Sequence, residues 1–173
     1  MLPTYELIAS QTLGSNANTV TFDSIPQNFD DLAIRVTARS TRTGTAISYM
    51  RMSFNSVTMT GHDYRQLSGN GSTTSSAAYT DDAGWIPNPP TDYTSNTFSS
   101  VEIYIPNYAG STNKSCSVSA VTENNNTLAN IFCVAGLWRS TSPITQINFW
   151  DNYPLGRQIT AGSSFQIFGI SNS

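Results

Sequence analysis

His62 is the single histidine in a chain of 173 residues, and in TGHDYRQL it stands beside Asp63. Histidine, an acid and abundant serine are the ingredients of nucleophilic hydrolysis. That chemistry needs a nucleophile, a base within hydrogen-bond reach and a group that orients the base. The Gly-x-Ser-x-Gly elbow that exposes such a serine is missing, so His62 reads as polar surface on a loop. Glycoside cleavage needs two carboxylates flanking the scissile bond, and Glu6, Glu102 and Glu123 read as residues of turns or outward faces. Paired acids occur at Asp30–Asp31 and Asp81–Asp82, without the spacing of a calcium loop. Both pairs read as solvated turns, Asp81–Asp82 with at most weak affinity for calcium. These residues predict no enzyme, no cofactor and no metal.

Two cysteines remain, Cys116 and Cys133, wrongly spaced for zinc and too few for a disulfide scaffold. They flank VTENNNTLANIFC, in which three asparagines separate two apolar runs. Asparagine tolerates the positive φ of a tight hairpin turn, so residues 115–122 and 128–135 are expected as antiparallel strands turning at Asn124 and Asn125. That register sets Val118 opposite Ile131 and Cys116 opposite Cys133. The two cysteines are then expected as a cross-strand pair of buried, reduced thiols, since directly opposed Cβ atoms lie somewhat too far apart for a relaxed disulfide.

The elements that must position these residues are strands. Leu32, Ile34, Val36 and Ala38 alternate with Arg35, Thr37 and Arg39, and Val101, Ile103 and Ile105 alternate with Glu102 and Tyr104. YELIASQT, NTVTF, AISYMRMSF, SCSVSAVT, LANIFCVAGLW, ITQINFW and SSFQIFGIS also read as strands, separated by turn chemistry such as SIPQN and TRTGT. The pattern predicts one all-β domain over residues 1–173, an antiparallel β-sandwich or jelly roll of 8–10 strands. Residues 68–97 break it: this Gly-, Ser-, Thr- and Pro-rich stretch is expected as a long loop insertion. Its aromatics Tyr79, Trp85 and Tyr93 are candidates for docking on another subunit or partner.

Only 11% of residues are charged and the net charge is −3, while Ser, Thr and Asn together make up more than a third of the chain. Such a surface offers no footprint for nucleic acid. No apolar run approaches the roughly 20 residues of a membrane helix. The N-terminal MLPTYELIASQTL lacks the parts of a secretory signal, which predicts synthesis in a cytoplasm. Sequons at Asn70, Asn113 and Asn125 are what this composition generates by chance. Trp85, Trp138, Trp150 and eight tyrosines could stack on sugars, although Trp138 and Trp150 end apolar strands and read as core or rim packing.

In order along the chain, YELIASQTL, VTFDSIPQNFDDLAIRVTARS, MRMSFN, NTFSSVEIYIPNYAGSTNKS, VTENNNTLA, AGLWRSTSPITQINF and AGSSFQIFGIS resemble small β-rich virion proteins of tailed bacteriophages. The resemblance implies a jelly-roll-like sandwich on the outside of a phage particle, made in the host cytoplasm and released by lysis. It brings no catalytic residues. With no coiled-coil or repeat shaft in the chain, it implies a capsid decoration (cement) protein. That protein is expected as a homotrimer seated between subunits of the major capsid protein and bracing the shell. The alternatives are a tail-fibre or receptor-binding module whose aromatic insertion grips cell-surface glycan, and a stand-alone carbohydrate-binding module.

Overall fold

Strict alternation puts one side-chain set of each strand in water and the other in the core, which selects two stacked antiparallel sheets. The structure, a computed structural model, describes residues 4–44, 47–84, 86–88, 94–123, 129–151 and 156–172. Twelve strands are seen among them. Eight form one sheet in the order β1 (Tyr5–Thr12), β12 (Ser164–Ile170), β3 (Asp31–Thr37), β8 (Ser100–Ile105), β9 (Lys114–Glu123), β10 (Ala129–Trp138), β5 (His62–Gly69) and β6 (Thr74–Tyr79). Four form the second, β2 (Thr19–Phe22), β11 (Ile147–Asp151), β4 (Ser48–Phe54) and β7 (Ile86–Asn88). The protein is an all-β antiparallel sandwich.

The core lies between the sheets. Phe22 and Phe149 of the small sheet meet Phe165 of the large one, with Phe149 and Phe165 ring centres 4.9 Å apart. The alternating residues named above supply much of the rest: Leu32, Ile34, Val36, Val101, Ile103 and Ile105 are all buried. Each such side chain contributes about 1.5–3 kcal/mol by leaving water. Trp138 is buried too, as expected, and Trp150 is half-buried.

The stretch 68–97 departs from the expected loop. It holds the end of β5, all of β6 and the short β7, which is why twelve strands replace eight to ten. Gly71 takes φ +85°, a conformation suited to a tight hairpin loop. The Asn70 carboxamide oxygen accepts from the N–H groups of Ser72 and Thr73, closing the turn between β5 and β6. Polar residues on the inner side of β5 (His62, Gln66) and the Ser/Thr/Ala composition of β6 hide both strands from a hydrophobic pattern.

The β9–β10 hairpin departs as well. Ala129 pairs with Glu123, Ile131 with Val121 and Val134 with Val118, three residues out of the expected register. Three is odd, so β10 presents its opposite face to the core. Phe132, Val134 and Trp138 point in, while Ile131, Cys133 and Leu137 point out. The bulkier apolar set takes the interior, where Phe132 packs edge-on against Tyr49 at 6.2 Å. The expected turn residues Asn124 and Asn125 lie outside the described residues.

Candidate functional site

His62 opens β5 and is fully buried, not on a surface loop. Its Nδ1 lies 3.1 Å from the Thr60 carbonyl, and the Phe54 N–H donates to its Nε2 at 3.3 Å. This pairing assigns the neutral tautomer with the proton on Nδ1. The ring stacks on Trp138 at 6.0 Å and leans on Phe54 at 5.8 Å. Burial pushes its pKa down, which outweighs the nearby carbonyls of Thr60 and Met59. The imidazole takes the place of a backbone acceptor for the Phe54 N–H of β4 and ties the two sheets together; it is not presented to a substrate. Sequence reasoning missed this because a buried histidine and a loop histidine look alike without a partner strand.

Both acid pairs, and Asp63 beside His62, are occupied by protein donors. Asp81 takes the Gly61 N–H at 2.8 Å and Arg139 at 2.5 Å, and Asp63 pairs with Arg139 at 3.0 Å. Asp82 pairs with Arg51 at 3.4 Å. Asp31 is buried and receives Tyr104, Asn107 and Asn172. Burial by itself would raise its pKa, but those hydrogen bonds win and hold the carboxyl below its usual value. The same bond to Asp31, with desolvation behind it, raises Tyr104 to about 12. No group of three or more His, Cys, Asp or Glu able to hold a metal occurs among the described residues.

Cys116 and Cys133 do not meet. Gly136 lies opposite Cys116 and Ser119 opposite Cys133, and the two thiols sit on different faces of the sheet, both free. The expected buried pair is therefore replaced by one buried and one exposed thiol. Tyr79, at the end of β6, stacks on Tyr64 at 4.5 Å and stays 43% exposed. Trp85 and Tyr93 lie outside the described residues.

What the structure does bring together is a surface. Across the outer face of the eight-stranded sheet, one row runs Phe168, Ala33, Tyr104, Ser117, Ala135, Arg65. The next runs Gln166, Arg35, Glu102, Ser119, Cys133, Leu67. Ser117, Ser119, Cys133 and Ala135 are short, so β9 and β10 form a floor between a wall on β8 (Glu102, Tyr104) and a wall on β5 (Arg65, Leu67). Three strand spacings separate the walls, about 14 Å. The resulting trough encloses about 1090 Å³.

Its charges are already engaged. Arg35 faces Glu102 at 3.4 Å and lies over the Phe168 ring at 5.7 Å. Arg65 donates to the carbonyls of Tyr64 and Tyr79. Around the trough stand large apolar groups in water: Leu67 is 64% exposed, Ile131 54% and Leu7 52%, joined by Tyr5, Tyr104, Val121 and Leu137. These are seven of the ten large hydrophobic side chains exposed among the described residues. Sequence reasoning missed this face, although LANIFCVAGLW carried a signal: the strand is apolar at both parities and uncharged throughout. Such a strand has something to cover on each side.

No family model matches the chain, and no curated protein matches it either.

Proposed function

We propose that this protein is a structural component of a bacteriophage virion, a capsid decoration protein that braces the shell from outside. The single observation that carries the reading is the apolar outer face of the eight-stranded sheet, which gathers seven of ten large exposed hydrophobics on one side of a rigid sandwich. Contiguous apolar surface of that kind marks a docking site. Its few charges are paired or fastened to backbone, so contact with a shell leaves little unpaired charge to desolvate. The sequence resemblance supplies the kind of partner, the major capsid protein. The mechanism is mechanical: each copy covers apolar surface that bridges neighbouring capsid subunits, and many copies multiply the effect.

The test uses capsids stripped of this chain. Added protein should bind in hundreds of copies and restore resistance to heat and osmotic shock, as expected of a decoration protein. Ile131→Asp and Leu67→Asp should fold normally and fail to bind. Binding unchanged by both substitutions would remove the outer face from the mechanism.

A second reading is favoured by the trough wall, where Tyr104 borders the Arg35–Glu102 pair. An aromatic face beside polar groups is how proteins hold sugars, which would suit a tail module that recognises cell-surface glycan. Particles lacking the chain that stay robust but no longer adsorb to cells would support this second reading.

A further inference from the structure

Every open sheet has edges whose backbone groups can recruit another chain, and proteins guard them with charges, prolines, bulges or brevity. Among the described residues the two sheets have four edges, and three of them are guarded. β1 carries Glu6 and an irregularity between Leu7 and Ala9. β2 has four residues; β7 has three, with Pro87 in the middle. The fourth edge, β6, reads TSSAAY: six residues with no charge, no proline and no bulge against β5, exposed along nearly its whole length.

The geometry of its ladder says which groups are open. Asn70 N–H donates to the Thr73 carbonyl at the turn. Hydrogen-bonded pairs recur every second residue from there, at Ser68/Ser75, Gln66/Ala77 and Tyr64/Tyr79. The N–H and C=O groups of Thr74, Ser76 and Ala78 therefore point away from the sheet.

We infer that β6 pairs with β6 of a second copy, antiparallel about a twofold axis through Ser76. In that register the partner's Ala78 faces Thr74, and Ser76 faces its own counterpart. All outward groups at the three positions are used, giving about six hydrogen bonds. The next row sets Ser75 against the partner's Ala77. From Thr74 to Ala78 only serine, threonine and alanine oppose one another, so no like charges meet and no bulky side chains collide there. The sequence complements itself under the twofold, as an isologous contact requires. A charged or proline-bearing strand of another protein would gain nothing comparable.

Two consequences follow from the symmetry. The axis of an antiparallel ladder stands perpendicular to the sheet, so both outer faces lie on one side and their troughs run side by side. Leu67, next to Ser76 on that face, then lies near the middle of the doubled surface. Since the remaining edges are guarded, assembly stops at two. This pairing does not rest on the virion reading, and it differs from the trimer that the sequence resemblance implies.

Light scattering on the purified chain tests it. The expected mass is about twice the 18.8 kDa of one chain. Ser76→Pro removes an N–H that β5 does not use, and an edge strand tolerates proline there. It should give a monomer with unchanged circular dichroism. Ala78→Lys, which sets a charge at the joint without touching the ladder, should do the same and stands in if the proline variant misfolds. Amide exchange should find the Ser76 N–H protected in the wild type and open in Ala78→Lys. A wild-type monomer, or a trimer or dimer indifferent to both substitutions, overturns the inference.

Discussion

Ile131 and Phe132 are neighbours in sequence and opposites in environment: the first is 54% exposed on the outer face, the second buried against Tyr49. The pairing of Ile131 with Val121 and Phe132 with Ala120 fixes that division. The exposure of Ile131 and Leu137 on the outer face depends on it.

Truncating the two residues should separate folding from docking. Phe132→Ala opens a core cavity and should cost about 3–5 kcal/mol, read as a fall in the urea midpoint. Ile131→Ser should change stability by only about 0.5 kcal/mol. Equal losses from the two would contradict the register.

The thiols should behave as a mismatched pair. Cys133 is exposed and should react with a thiol reagent in the native protein. Cys116 is buried and its pKa is pushed up to about 12 by desolvation, so it holds almost no thiolate at neutral pH. Titration should count one thiol in buffer and two in denaturant. Because Cys133 lies on the trough floor, the proposed docking on a capsid should shield it.

His62 sets a pH dependence. Its folded pKa lies below the unfolded value of 6.5, so between those values the unfolded chain binds the extra proton. Stability is full above pH 6.5 and falls as pH drops through that window, by about 1.4 kcal/mol per pH unit. Asp63 opposes the shift and Arg139 reinforces it. Melting temperatures measured from pH 7.5 to 5 should show the decline. His62→Gln, which keeps an acceptor for Phe54, should be less stable at pH 7.5 but nearly flat across the range.

Gly169 has no room for a side chain. A Cβ there would sit 2.4 Å from the Phe29 ring. Gly169→Ala should cost about 3 kcal/mol through overpacking, measured by urea unfolding. Phe29→Leu in the same chain should recover part of the loss, because the two positions couple through direct contact.

Alternation was enough to specify an all-β sandwich. Nine of the strands declare themselves through segments such as DLAIRVTARS and FSSVEIYIP, because an apolar residue at every second position has one economical burial, against another sheet. The low charge was equally plain, and it remains part of the functional reading. β5, β6 and β7 stayed hidden, since histidine, glutamine, serine and proline carry no such pattern and gain their place only from a neighbouring ladder. The face of β10 was hidden too. Its sequence is apolar at both parities, so alternation permits either side to turn inward, and packing chose Phe132, Val134 and Trp138 because they fill more of the core than Ile131, Cys133 and Leu137. The outer trough, the burial of His62 and the open edge at β6 all depend on which strands lie side by side. Those are relations between residues far apart in the chain, and only the folded structure sets them.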